Sequence, residues 1–300
     1  MGIWNDLLAS VRAGSHKSIA RAISLLENDV PGSEQLLEAV PETRCPVIGI
    51  TGPPGAGKST LVDALIEQWA ARGDSIAVCC VDPSSPFNRG AVLGDRIRMS
   101  QWHNHPSVFI RSLASRGSLG GMHPRIIEIL ELLQLAAFDR IIIETVGVGQ
   151  TEVEVAGLAD ATVVVLVPES GDEVQTMKAG LMEVADLFVV NKADRPDADR
   201  FTHVLQQLVH DAADEKHREV PVIKTAATEK KGIGDLVDSI EQVLKKNAPA
   251  EDRSWLLAEK AYQLIQASRM KDVSKTELRE KIRLQIQQGH FHLFSFIKDY

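Results

Sequence analysis

The segment GPPGAGKST places Gly52 four residues ahead of Gly57, Lys58 and Ser59. That is the spacing of a phosphate-binding loop. Glycines let the chain bend so that successive backbone N–H groups face phosphate oxygens. Lys58 reaches the β- and γ-phosphates in such a loop, and the Ser59 hydroxyl serves Mg²⁺. A helix starting beside Ser59 adds the positive end of its dipole. The nucleotide site therefore takes in Gly52, Pro53, Pro54, Gly55, Ala56, Gly57, Lys58, Ser59 and Thr60. The preceding run VIGIT has the character of a buried strand, and LVDALIEQW that of a helix. Strand, loop, helix is the order the chemistry requires.

The base is named by NKAD, Asn191 to Asp194, at the end of a later apolar run. The Asp194 carboxylate can accept from guanine N1–H and N2–H₂, whereas adenine offers an acceptor at N1. A site built around such buried polar groups rejects the analogue that leaves them unpaired. Lys192 is expected to lay its stem across the base plane. Thr225, Ala226 and Ala227 end a further apolar run, and their backbone can meet guanine O6. These residues predict GTP or GDP rather than ATP.

ETVGVGQ, from Glu144, offers an acid for Mg²⁺ and a glycine, Gly147, whose N–H senses the γ-phosphate. Many GTPases have a water-positioning Gln after that glycine. Here it is Val148, so slow unassisted hydrolysis is expected, with Gln150 as the candidate substitute. VDPSSPFNRGAVLGDRIRM supplies two more acids, Asp82 and Asp95, and three arginines, Arg89, Arg96 and Arg98. Acids on such a loop can reach Mg²⁺ only in the triphosphate state, which orders the loop. The predicted metal set is Ser59, Asp82, Asp95 and Glu144. The catalytic set read from these segments is Lys58, Glu144 and Gln150.

The elements that position these residues follow from hydrophobic patterning. Seven apolar runs are mostly continuous rather than alternating, as in parallel strands buried on both faces. Helical patterns lie between them. This predicts a doubly wound α/β domain with a mostly parallel sheet over residues 43–246. A helical extension over 1–42 precedes it, with Ile19, Ile23 and Leu26 on one stripe. A helical arm over 247–300 follows the break NAPAED and is expected to form a homodimer. The 300 residues carry a net charge of −8, so neither nucleic acid nor an anionic membrane gains electrostatic support as a partner. No apolar run is long enough to span a bilayer. Cys45, Cys79 and Cys80 form no CxxC pair and are expected to be free thiols in a cytoplasmic protein. Cys79 and Cys80, adjacent in a strand, should point to opposite faces.

GPPGAGKSTL, VDPSSPFNRGAVLGDRIRM, RGSLGG, ETVGVGQTE, GDEVQTMKAG and NKAD together resemble the MeaB/ArgK/MMAA family of SIMIBI-class P-loop GTPases, over residues 15–290. The resemblance implies a G-protein chaperone of adenosylcobalamin-dependent acyl-CoA mutases, chiefly methylmalonyl-CoA mutase, that uses GTP to gate cofactor loading and removal. It implies adenosylcobalamin bound to the partner rather than to this chain, and a loop carrying Lys178 at the partner interface, which adds Lys178 to the catalytic set as the residue that steadies the developing charge. Arg89, Leu113 and Arg116 depart from the family's usual residues in loops that could touch that partner. Two other readings compete. One is a phosphotransferase passing the γ-phosphate to a small molecule or protein. The other is a metallochaperone GTPase, which needs Cys and His at ligand spacing.

Overall fold

The computed structural model describes residues 2–41, 44–82, 99–115, 122–145, 151–169, 181–216, 220–247, 254–270 and 272–300. Two helices open the chain, α1 (Gly2–Arg12) and α2 (His16–Glu27). Seven strands follow: β1 (Val47–Thr51), β2 (Ile76–Asp82), β3 (Val108–Ala114), β4 (Arg140–Glu144), β5 (Ala161–Leu166), β6 (Leu187–Val190) and β7 (Val222–Lys224). Between them run α3 (Lys58–Ala71), α4 (Ile126–Leu135), α5 (Thr151–Ala156), α6 (Leu181–Val184) and α7 (Ala198–Lys216); α8 (Ile233–Lys246) comes after β7. All seven apolar runs of the sequence form strands. They make one sheet in the order β3-β2-β4-β1-β5-β6-β7, and every pairing is parallel.

The sheet is covered on both faces, which is why its strands read as continuous apolar runs. On one face Ile48 and Ile50 pack with Leu61, Leu65 and Trp69 of α3 and Ile233 and Leu236 of α8. On the other, Ile141 and Ile143 pack with Ile129 and Leu133 of α4 and with the α2 stripe Ile19, Ile23 and Leu26. Cys79 belongs to this second face and Cys80 to the first, so the neighbouring thiols do point apart. α2 begins at Ser15, whose hydroxyl accepts from the Ser18 N–H, a normal N-cap. Glu27 at its other end is paired with Arg111 of β3.

The chain divides into two compact units, 1–249 and 250–300. The N-terminal helices thus belong to the same unit as the sheet, and their apolar stripe closes one of its faces. The second unit contains α9 (Ser254–Arg269), α10 (Lys275–Gln287) and α11 (Leu293–Phe296). Among the described residues no helix is long and apolar enough to cross a membrane.

Candidate nucleotide site

β1 lies between β4 and β5, so its carboxyl end opens where the crossovers diverge, the place where ligands bind in such sheets. Gly52 begins the loop there with φ 137°. A Cβ at Gly52 would run into the Val165 carbonyl oxygen of β5, so the turn excludes any side chain. Gly57 has φ 86° and caps α3 without a side-chain hydrogen bond. A Cβ there would come within 2.5 Å of Asn191 Nδ2. The first N–H groups of α3 are thus presented with no capping side chain over them, as an anion site requires.

Lys58 is buried, and its Nζ donates to the carbonyls of Gly52 at 2.8 Å and Pro53 at 3.0 Å. The ammonium is therefore held inside the turn of its own loop. Ser59 Oγ donates to Glu144 Oε1 at 2.6 Å, and both residues are buried. Cys80 Sγ lies 3.9 Å from Glu144 Oε2. Hydroxyl and carboxylate oxygens are the donors Mg²⁺ takes, and these two converge from α3 and β4, so the donor chemistry of the pair fits that ion. Asp82 ends β2 one strand over, which puts its backbone at the same rim.

The guanine segment is tied to the loop. Asn191 follows β6 and is buried. Its Nδ2 donates to the Ala56 carbonyl at 2.9 Å. Its Oδ1 accepts from Thr225 Oγ1 at 3.1 Å and from the Ala227 N–H at 3.2 Å. One amide side chain therefore joins the phosphate loop, β6 and the Thr225–Ala227 turn. Ala226 is fixed in that turn by paired backbone bonds with Lys231. Lys192, with φ 57°, reaches back so that Nζ donates to the Gly55 carbonyl at 2.7 Å. Asp194 is exposed at the mouth, next to Arg195, which pairs with Glu169.

The structure thus gathers Gly52 to Thr60, Glu144, Asn191 to Asp194 and Thr225 to Ala227 at one end of the sheet. Asp95, Gly147, Gln150 and Lys178 lie outside the described residues, as do Arg89, Arg96 and Arg98. Sequence reasoning missed one buried pair: Thr51 Oγ1 and Thr145 Oγ1, 2.9 Å apart. The only signal was position, since Thr51 precedes Gly52 and Thr145 follows Glu144. It also missed Asn191 as a strut between loop and base segment.

Cys79 and Cys80 face opposite sides of the sheet and cannot share a metal. Burial pushes the Cys79 thiol up to about 12 and the Cys45 thiol to about 11. Among the described residues no group of three or more His, Cys, Asp or Glu side chains is placed to hold a metal ion.

A glycine turn that admits no side chain, a buried lysine folded into it, and an Asn-Lys-x-Asp segment bound to the same loop define a P-loop GTPase. The relatives agree: a Pyrococcus abyssi protein named as a GTPase is 42% identical over 293 residues, covering 96% of this chain and 89% of that protein, and GTPase ArgK of Escherichia coli is 38% identical over 245 residues, 78% of this chain and 74% of that one. The chain belongs to the MeaB family: the model for "Methylmalonyl Co-A mutase-associated GTPase MeaB" matches residues 19–281. Among solved structures, one titled as an LAO/AO transport system kinase aligns with TM-score 0.63 at 25% identity, covering 99% of this chain and 95% of that chain.

Proposed function

We propose that this chain is a G-protein chaperone that gates adenosylcobalamin loading and removal on a cobalamin-dependent acyl-CoA mutase. The carrying observation is that the family matching most of the chain is described by its association with methylmalonyl-CoA mutase. A Caenorhabditis elegans relative, 39% identical over 205 residues that cover 63% of this chain and 51% of that protein, is named a methylmalonic aciduria type A homolog. The cobalamin belongs to the partner in this reading, and the partner handles an acyl-CoA.

The chemistry is attack of water on the γ-phosphorus of GTP, with the bond to the β–γ bridging oxygen breaking to leave GDP and phosphate. Negative charge builds on the phosphoryl oxygens in the transition state, so fixed positive charge there lowers the barrier. Lys58 supplies it, exchanging the Gly52 and Pro53 carbonyls for phosphate oxygens. The backbone N–H groups at the start of α3 take the remaining oxygens. Ser59 and Glu144 would hold Mg²⁺, joined by Asp82 and Asp95; bound there, the ion supplies charge neutralisation at the β- and γ-phosphates. Asp194 selects guanine, and Asn191 keeps its segment in step with the phosphate loop. Gly147 senses the γ-phosphate. Gln150 and the partner-facing Lys178 are assigned to the attacking water and the developing charge.

The second unit is assigned to homodimer formation. Tyr262, Ile265, Leu284, Ile286, Leu293 and Phe294 expose 52–68% of their surface, which supports this assignment because joining a second copy would remove that apolar area from water.

The test is GTP hydrolysis by the purified chain with and without an adenosylcobalamin-dependent mutase, beside a pull-down with a non-hydrolysable GTP analogue. Stimulated turnover and nucleotide-dependent capture are expected. A chain indifferent to every such mutase would overturn the chaperone reading and leave the GTPase intact.

A further inference from the structure

We infer that the Thr51–Thr145 hydroxyl pair is a positioning device that holds Glu144, at the end of β4, in place against the phosphate loop during GTP hydrolysis. β1 and β4 run parallel with Ile50 opposite Glu144. The ladder extends one residue further, where the Thr145 N–H donates to the Ile50 carbonyl at 3.0 Å. There the two hydroxyls meet at 2.9 Å, with Thr51 at 0% and Thr145 at 1% exposure. Immediately afterwards Gly52 turns away into the loop.

The loop and the end of β4 are therefore tied by side chains at two places. One is Thr51–Thr145 at the loop's start, and the other is Ser59–Glu144 at its end. The second tie uses the two groups assigned to Mg²⁺. That second tie is shared with the cation and the nucleotide when they bind. The threonine pair is not shared in this way, because neither hydroxyl belongs to the assigned metal or phosphate ligands. It stays as the fixed point that holds Glu144, at the end of β4, relative to the start of the loop. Valine matches the shape of threonine in a strand and removes only the hydroxyl, so a single Thr→Val leaves one buried hydroxyl without a partner. Two valines leave none.

That asymmetry separates a positioning role from a structural one. Thr51→Val, Thr145→Val and the double variant are compared by urea denaturation, GDP affinity and steady-state GTP hydrolysis. Each single variant loses stability, and the double variant recovers most of it. The expected kcat is reduced about three- to tenfold in all three, with GDP affinity changed by less than about twofold. Thr145→Ser regains most of the turnover that Thr145→Val loses. A double variant whose turnover recovers together with its stability would overturn the inference, as would equal losses in GDP affinity and kcat. Should the valine variants not fold, Thr145→Ala against Thr145→Ser decides by the same readouts. The inference rests on the GTPase site, whose own failure is distinct: a wild-type chain that binds no guanine nucleotide.

Discussion

The Ser59 hydroxyl and the Glu144 carboxylate form a buried hydrogen bond of 2.6 Å across the start of α3 and the end of β4. Two groups assigned to the same cation hold one another in its place. Glu144→Gln keeps a hydrogen-bonding oxygen there but removes the charge. The apparent Mg²⁺ affinity of the nucleotide complex should fall by about 10- to 100-fold or more. GDP binding in EDTA should change little. A Mg²⁺ titration of hydrolysis, beside GDP titration in EDTA, measures both.

The loop glycines differ in what they demand. Gly52 combines φ 137° with a Cβ position blocked by the Val165 carbonyl, while Gly55 has φ 78° with nothing within 4 Å. Gly52→Ala should lower stability by about 2 kcal/mol or more, since strain and clash add. Gly55→Ala should cost about 1–2 kcal/mol, the left-handed penalty alone. Urea denaturation in the absence of nucleotide ranks them, and equal costs would contradict the role given to Val165.

Guanine selection is assigned to Asp194 and its support to Asn191. Asp194→Ala should narrow the gap between GTP and ATP affinity without loss of fold, because the residue is exposed. Asn191→Ala should instead lower stability by about 1–3 kcal/mol, since it leaves the Ala227 N–H and Thr225 hydroxyl unmatched in the interior. Fluorescent-nucleotide titration and denaturation of the two variants should give opposite patterns.

Cys79 is fully buried and its thiol is pushed up to about 12 from the ordinary 9.0, by desolvation first. Its folded-state pKa lies above the unfolded one. Its contribution is therefore complete below pH 9 and declines as pH rises from 9 towards 12, where only the unfolded chain sheds the proton. The decline is at most about 1.4 kcal/mol per pH unit. Between pH 8 and 10.5, wild-type stability should fall more steeply than that of Cys79→Ala. Parallel curves in urea melts would assign alkaline lability elsewhere.

The strands, the loop and the base segment were legible because each rests on local rules. A sheet covered on both faces needs unbroken apolar runs, and a phosphate loop needs glycines at fixed spacing. Opposite orientation of Cys79 and Cys80 follows from strand alternation alone. Strand order and register are not local. No pattern in the sequence sets β4 beside β1 or Thr145 opposite Thr51. Asn191 read as part of a base-binding motif, yet its amide spans three segments that only the fold brings together. The N-terminal stripe Ile19, Ile23 and Leu26 was visible as a buried face, but which surface buries it was not.

The second unit's surface carries the last prediction. Ile265 of α9 and Ile286 of α10 expose 52% and 58% of their area. Each is a β-branched apolar side chain that is more than half exposed, so replacing it with glutamate should leave the helices intact. Exposed apolar area of this kind is stabilised by joining a second copy, and burial is worth about 25 cal/mol per Å². A closed two-fold arrangement uses the same patch twice, so one substitution introduces two charges into the interface. Ile265→Glu combined with Ile286→Glu should convert a homodimer to a monomer by sedimentation equilibrium at micromolar concentration. GDP affinity should hold, since the nucleotide residues all belong to the first unit. A wild-type chain that sediments as a monomer would refute the dimer. A double variant that remains dimeric would move the interface off these helix faces.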